Sequence, residues 1–344
     1  MATQTTARPL DPGDGAVFLT ALLAAVKRPA AWGTTALGIA AMGLFAATPV
    51  YRFVDSSLEH RYEPGSQRFN LSELFWNDQA SGIEVVRSQL ATTGGFLALA
   101  AFLFGCFTAG GWLRLLLDPG RGYGRLFFAG GARYFWRFLR LALVVVVLFH
   151  LVGVVTQGAI WRELVLEGWA GWEGGKAENS TSELTVARLG WASDLLHLVG
   201  LSLVLSWALL TRARMVLENR HSALIAGSAT FWTLVRHPFS TLRPLLCLVA
   251  LEFAGLLGLA LLFRALESGL DGGGGWWSFL PMLLVAALAL VLREILHGAR
   301  YASALIVSRR LVRPLPSDPW GDRVGGPGGP QYPLAENDEF SVAM

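Results

Sequence analysis

An acid and a base that could pair with each other stand inside two long apolar stretches of this chain. Glu252 lies about eight residues into the run 244–263, and Arg293 lies near the end of the run 277–296. An acid or base at membrane depth is costly, so each is a candidate for function. Antiparallel packing of the two runs leaves a difference in depth that a long arginine side chain bridges. We predict a structural ion pair between Glu252 and Arg293. A proton-coupling carboxylate, or one exposed to a water-filled cytoplasmic cavity, is the alternative.

A second polar cluster is spread over two other apolar runs. Its members are His150, Thr156 and Gln157 in the run 141–161, and Asp194 and His197 in the run 191–211. Histidine and aspartate are zinc ligands. However, His150 should lie several residues deeper than His197, and no cysteine or further acid is close enough to complete a site. We therefore expect no metal, and predict interhelical hydrogen bonds of about 0.6 kcal/mol each.

Three arginines are spaced to share one face of a helix. Arg133, Arg137 and Arg140 follow one another at i, i+4 and i+7, and aromatic residues fill much of the remaining surface of 126–140. This pattern is typical of a helix lying on a membrane surface, where each arginine near anionic headgroups contributes about 1 kcal/mol. We predict that these three arginines face headgroups, with specific lipid recognition as the alternative.

The composition excludes most soluble classes of protein. Of 344 residues, 53% are of the types AVILMFWYC and only 15% are charged, against about 25% charged in globular domains. This low share of charge and a mean hydropathy of +0.47 disfavour a basic nucleic-acid-binding protein. The net charge of +3 is small, so any meaning lies in where the charges fall along the chain. Two cysteines, both in apolar runs, indicate no disulfide framework.

Long apolar helices must therefore position the polar residues. Each apolar run reaches about the 20 residues that a bilayer requires, and a helix satisfies its own backbone where water is absent. The sequence predicts an all-α bundle of six transmembrane helices. The runs are 32–51, 90–117, 141–161, 191–211, 244–263 and 277–296.

The arginines alternate between the connections. Residues 114–140 carry six arginines against one acid, and residues 212–243 carry five against one, whereas 52–90 and 162–194 each carry six acids and fewer bases. Basic loops are retained in the cytoplasm, which predicts cytoplasmic termini. Because only two of the 28 basic residues are lysine, we expect a GC-rich bacterial source and location in the bacterial inner (plasma) membrane.

Weak internal repetition accompanies this alternation. Val26-Lys27-Arg28-Pro29 leads into the first span as Val235-Arg236-His237-Pro238 leads into the fifth, and Arg114, Arg214 and Arg300 stand near the ends of the even spans. We predict up to three repeats, each with a cytoplasmic amphipathic helix and a helical hairpin.

Small residues at every fourth position predict close helix packing. One such stripe is Ala250, Ala254 and Gly258 in the fifth span, and a shorter one is Gly105 and Ala109 in the second. Small side chains let helix backbones approach each other in membranes. We therefore expect both stripes to lie at helix contacts.

One segment carries a family resemblance. Residues 210–238, LTRARMVLENRHSALIAGSATFWTLVRHP, resemble uncharacterised bacterial six-span proteins, including the membrane domains attached to some glycerophosphodiester phosphodiesterases. The resemblance implies a six-span fold and no activity, because the phosphodiesterase domain itself is absent. Searches for a Walker loop, a Gly-x-Ser-x-Gly elbow, a His-Glu-x-x-His helix and an EF-hand loop find none, so we expect no catalytic residues and no cofactor.

These observations lead to one domain and two function classes. Residues 1–15 and 314–344 are polar or rich in proline and glycine and are predicted to be disordered tails, flanking a membrane domain at 16–313. We predict a structural or assembly component without catalytic activity, in contact with anionic lipid headgroups and with room for an unidentified membrane protein partner. The alternative is a small-molecule permease with a polar site near Glu252 and Arg293. A lipid-acting enzyme is a third class.

The two main classes differ in what the bundle interior should contain. A permease needs a polar or water-filled path near the membrane midplane. A structural component should instead be a dry, well-packed bundle.

Overall fold

The structure, a computed structural model, describes residues 17–58, 80–118, 123–175, 182–219, 222–268 and 279–311. Within these ranges the chain is helical and contains no strand, which confirms the predicted all-α fold. Both predicted tails, 1–15 and 314–344, lie outside the described residues. The main helices are α1 Val17–Val26, α2 Pro29–Leu58, α3 Ala80–Leu117, α4 Tyr123–Thr156, α5 Glu183–Leu217, α6 Ala223–Arg236, α7 Pro238–Ser268 and α8 Leu280–Leu311. Short helical segments follow α4: the single turn Ala159–Trp161, the π-helix Arg162–Trp169, which together extend the third span, and the 3₁₀ turn Glu173–Gly175.

Six helical segments in the described ranges are long and apolar enough to cross a bilayer. They are α2, α3, α4 with its extension to Trp169, α5, α7 and α8. With 30 residues, α2 is about 45 Å long at about 1.5 Å per residue, longer than a hydrocarbon core of about 30 Å. The chain is therefore a multi-pass membrane protein whose helices extend past the apolar runs recognised in its sequence.

Two prolines separate short helices from the spans that follow them. Helix α2 begins at Pro29 and α7 begins at Pro238, directly after α1 and α6. Proline has no N–H to donate, so it is suited to the first turn of a helix. The two Val-basic-basic-Pro segments noted in the sequence thus produce the same helix break in two parts of the fold.

The middle part of the fold departs from this pattern. Residues 126–140, predicted to form a separate surface helix, run without a break into the third span as part of α4. The reason is the absence of a proline: α4 contains none over its 34 residues, so nothing interrupts its hydrogen-bond ladder.

The side-chain core lies at one end of the bundle. We call this the arginine-rich end: α3, α5 and α8 finish there, and α2, α4 and α7 begin there. Large side chains fully buried at this end include Trp112, Phe127, Phe138, Met215 and Tyr301. The opposite halves of the helices expose apolar side chains such as Leu44, Phe96, Leu195 and Leu283. In a bilayer that exposure is stable, because lipid tails are as apolar as leucine.

The backbones of α3 and α4 lie in close contact. A Cβ atom added to Gly110 would meet the carbonyl oxygen of Gly130 at 2.7 Å and the Cα of Gly131 at 3.2 Å. Only residues without a side chain permit this approach, because even an alanine methyl would overlap with the facing backbone.

The predicted small-residue stripes do not make such contacts at their glycines. A Cβ atom on Gly105 or Gly258 would meet nothing within 4 Å, and Ala250 and Ala254 are exposed on α7. The close contact of α7 with α8 is instead at Gly255, where a Cβ atom would meet Leu292 at 2.8 Å. The stripe prediction for α7 is wrong because the rotation of that helix turns the stripe away from its neighbours.

Candidate functional site

An interhelical ion pair joins α7 to α8. The Glu252 carboxylate lies 3.1 Å from the Arg300 guanidinium, and the two side chains are 14% and 26% exposed. The prediction that Glu252 pairs with Arg293 is wrong. The sequence analysis ended the sixth span at residue 296, but α8 continues to Leu311, so Arg300 also lies within the helix and at a height that Glu252 reaches.

Arg300 retains hydrogen-bonding capacity beyond this pair. Its Nε atom is buried and has no hydrogen-bond partner among the described residues. A guanidinium carries five N–H donors, so one carboxylate leaves part of that capacity unused.

A cavity of about 560 Å³ lies between α2, α3 and α8. One face of α8 supplies its ionisable residues, Arg293, Glu294, His297 and Arg300. The walls from α2 and α3 are mainly apolar and small, and include Ile39, Met42, Gly43, Ala98, Ala101 and Phe104. The cavity therefore combines an apolar wall with a charged one.

The cavity ends in polar and tightly packed residues toward the arginine-rich end. Thr35 and Thr108 line it and are almost fully buried, as is Glu294, which lies beside Thr35. Below them Trp112 is 0% exposed, with its ring packed against Gly298. The cavity is therefore closed on this side by the core of the bundle.

A second cavity, of about 500 Å³, lies between α2 and α3, farther from the arginine-rich end. Its wall is more polar than that of the first: Thr48 and Arg52 come from α2, and Ser88, Gln89 and Thr92 come from α3. Phe45 lines this cavity and its neighbour Ala46 lines the first. Helices α2 and α3 thus carry polar side chains at both ends of a shared, mainly apolar face.

Hydrogen bonds join α4 to α5 at the second predicted cluster. The Gln157 amide donates to Asp194 at 3.1 Å, and the Thr156 hydroxyl lies 2.8 Å from Nδ1 of His197. Ser193, which the sequence analysis missed, donates to the Thr156 carbonyl at 2.7 Å. A lone serine in an apolar run gives no signal that would have identified it.

His150 is not part of this cluster. Its side chain is exposed on α4, and no hydrogen bond links it to any described residue. Val152, two residues later, packs on Gly200 of α5, so successive residues of α4 turn His150 away from the contact. Within the described ranges, no group of three or more His, Cys, Asp or Glu residues is placed to hold a metal ion.

The three predicted headgroup-facing arginines separate into two environments. Arg133 and Arg140 are exposed, whereas Arg137 is only 8% exposed and donates to the Asn219 side chain at 2.9 Å. The prediction for Arg137 is wrong because α4 continues into the bundle, where the middle of this face meets the turn after α5. Asn219 itself has φ of 47°, the left-handed conformation that asparagine adopts at helix ends.

The three arginines noted near the ends of the even spans each form an ion pair with an acidic residue. Arg114 pairs with Asp118 at 3.5 Å and Arg214 with Glu218 at 2.7 Å, both one helical turn away. Arg300, the third of the series, instead reaches Glu252 on the neighbouring helix. The site at α8 therefore differs from its two counterparts in holding an arginine across a helix interface.

Comparison with known proteins adds no functional information to this geometry. No family model matches the chain, and neither a curated protein nor a solved structure matches it.

Proposed function

We propose that the protein is a non-catalytic permease whose site is the cavity between α2, α3 and α8. The observation that carries this proposal is the polar wall of that cavity, formed by the charged residues Arg293, Glu294 and Arg300 together with His297. The sequence distinguished a permease from a structural component by a polar path in place of a dry interior. A charged cavity among the spanning helices favours the permease.

The size and charge of the cavity support a binding role. Small-molecule sites commonly enclose about 300–1,000 Å³, and this cavity of about 560 Å³ lies in that range. Glu252 balances the charge of Arg300, whereas Arg293 forms no ion pair with a described residue. Arg293 is thus the cation available to a substrate.

The packing of the bundle indicates which conformation of a permease the structure represents. The cavity is closed toward the arginine-rich end by Trp112 and the core around it. Transport would require these contacts to open while the opposite side closes. The structure corresponds, in this proposal, to the state closed toward the cytoplasm.

A second candidate is the structural or assembly component predicted first. The observation that favours it is the dense, buried core of the arginine-rich end, which resembles a scaffold more than a moving gate. Such a component would have a further membrane protein as its partner. Recovery of one partner at constant stoichiometry after gentle detergent extraction would favour this candidate.

Orientation and compartment complete the proposal. We place the chain in a bacterial inner membrane, with both termini and the arginine-rich end in the cytoplasm. The support is the bias of arginine toward the connections at that end. In this orientation the second cavity, with Thr48 and Ser88, lies toward the outside.

A flux experiment with two probes tests the permease. The protein is reconstituted into liposomes, and movement of radiolabelled inorganic phosphate and of a fluorescent phosphatidylglycerol across the bilayer is measured. We expect movement of at least one probe, lost in Gly43→Leu and kept in Gly258→Leu. Both changes add the same side chain where a Cβ meets nothing within 4 Å, but only Gly43 lines the cavity. Equal rates in protein-free liposomes would contradict the proposal.

A further inference from the structure

We propose that the cavity between α2, α3 and α8 binds an anionic amphiphile taken from the surrounding bilayer. Its phosphate or carboxylate group lies against Arg293, His297 and Arg300, and its hydrocarbon chain lies along α2 and α3. This inference uses the site of the proposed permease and specifies its ligand, but binding itself does not require transport.

The charged wall selects an anionic group. Arg293 has no ion pair with a described residue, and the Nε atom of Arg300 is buried without a hydrogen-bond partner. Guanidinium groups bind phosphate and carboxylate through paired N–H donors. Burying a donor without a partner is unfavourable, so an anion reaching Arg300 would recover part of that cost.

Glu252 and Glu294 limit how much negative charge the site tolerates. Glu252 already pairs with Arg300, and Glu294 lines the cavity beside Thr35. These acids disfavour a multiply charged free anion. They are compatible with a single negative charge attached to an apolar body.

The opposite walls select hydrocarbon. Between Ile39 and Ala46 on α2, and between Leu97 and Gly105 on α3, the lining side chains carry no polar group. A small hydrated anion would lose its water against these walls, whereas an acyl chain would stay in apolar surroundings, as it does in the bilayer.

The position of the cavity gives it access to lipid. Gly43, Ala98 and Ala101 line it and are exposed, and exposed apolar side chains such as Leu44 and Leu99 flank them. In a bilayer these neighbouring side chains contact lipid, so the cavity opens sideways toward the lipid hydrocarbon. A bilayer amphiphile is therefore its occupant in preference to a solute from water.

Lipid retention measured by native mass spectrometry tests the inference. The full chain is reconstituted in equal amounts of phosphatidylglycerol and phosphatidylcholine and re-extracted in mild detergent. We expect wild type to retain phosphatidylglycerol in preference. Retention should fall about tenfold in Arg293→Gln, as for loss of a charge-assisted hydrogen bond, and remain unchanged in Arg188→Gln. Arg188 is also an exposed arginine, but it lies on α5 outside this cavity.

Filling the cavity provides a second arm that does not change charge. Gly43→Leu should lower retention of both lipids to the background level, whereas Gly258→Leu should match wild type. Because Gly43 has open space for a side chain, the Gly43→Leu variant should fold normally, as checked by its melting temperature. If Gly43→Leu melts early, Ala101→Leu, also at an exposed lining position, replaces it.

Three results would overturn the inference. They are equal retention of the two lipids by wild type, equal retention by the Gly43 and Gly258 variants, and retention of inorganic phosphate by lipid-free wild type that is lost in Arg293→Gln. The last would assign the site to a free anion. Lipid retention without movement of either probe would refute the permease and leave this inference standing.

Discussion

Ion pairs hold the arginines of the returning helices in two different ways. The pairs Arg114–Asp118 and Arg214–Glu218 are local, since each joins residues four apart on the chain. Arg114–Asp118 is the more exposed of the two, and exposed pairs with this spacing contribute about 0.3–0.5 kcal/mol. The pair of Arg300 with Glu252 joins two helices at membrane depth. Loss of one partner there has a larger consequence than at Arg114, because a charge remains in a medium of low dielectric constant.

Removal of the Glu252 charge tests this interhelical pair. Glu252→Gln should lower the thermal stability of the detergent-solubilised protein by up to about 3 kcal/mol, because Arg300 is left without its counter-ion. Adding Arg300→Met should recover part of the loss in a double-mutant cycle. The matched control is Arg293→Met, which should show no coupling to Glu252→Gln. Coupling to Arg293 in place of Arg300 would reject the observed pair.

Arg137 and its neighbours provide a second test among residues of one type. Arg137→Met should destabilise the protein by about 1–3 kcal/mol, because the buried Arg137 side chain loses its charge-assisted hydrogen bond to Asn219. Arg133→Met and Arg140→Met change exposed arginines and should stay within about 0.5 kcal/mol of wild type. Chemical denaturation followed by tryptophan fluorescence measures all three. Equal losses for the three variants would mean that Arg137 is no more buried than the others.

At the scale of elements, helix contacts depend on which face of each helix turns inward. The backbones of α3 and α4 approach each other at Gly110 and Gly130, while the Ala250, Ala254 and Gly258 face of α7 points outward. The same residue type thus has opposite consequences at these two places. Glycine is required at the α3–α4 contact and is only a poor helix former on the outer face of α7.

Alanine substitutions at the two glycines should change stability in opposite directions. Gly110→Ala should lower the melting temperature, because its methyl group would overlap with the Gly130 carbonyl. Gly258→Ala should leave it unchanged or raise it by the helix propensity difference, at most about 1 kcal/mol. Differential scanning fluorimetry measures both. A fall in melting temperature for Gly258→Ala equal to that for Gly110→Ala would show that this face of α7 is packed against a neighbouring surface in the folded protein.

At the scale of the whole molecule, packing is uneven along the membrane normal. The core lies at the arginine-rich end, as does the connection from α5 to α6. The cavity between α2, α3 and α8 ends against this core. The second cavity, between α2 and α3, lies farther from it. A bundle anchored at one end can hold its helices together while leaving space between them elsewhere. The orientation of this end determines from which side the space is reached.

Thiol labelling of introduced cysteines tests that orientation. Cys247 is exposed and is first replaced by serine. A membrane-impermeant reagent should label cysteine at Gln67 or Asn179 in intact spheroplasts, because both positions fall in connections rich in acid. Cysteine at Ser222, the N-cap of α6, should react only after lysis. Labelling of Ser222 from outside would reverse the topology.

Local properties of the sequence were sufficient for the number and nature of the spans. A run of about 20 apolar residues must satisfy its backbone internally in lipid, which leaves a helix as the solution. The breaks before Pro29 and Pro238 are also local, because they follow from a missing N–H group. The contacts of Gln157, Asp194 and His197 between the third and fourth spans follow from polar groups at similar depth in adjacent apolar runs.

Tertiary structure decided which side chains meet. The choice of Arg300 over Arg293, the burial of Arg137 and the outward turn of the α7 stripe all depend on the rotation and relative height of helices that are far apart in sequence. Periodicity gives the face on which a residue lies but not the direction in which that face points. The cavity of α2, α3 and α8 follows from the same cause, because a space between helices is a property of how several of them diverge and of no single segment.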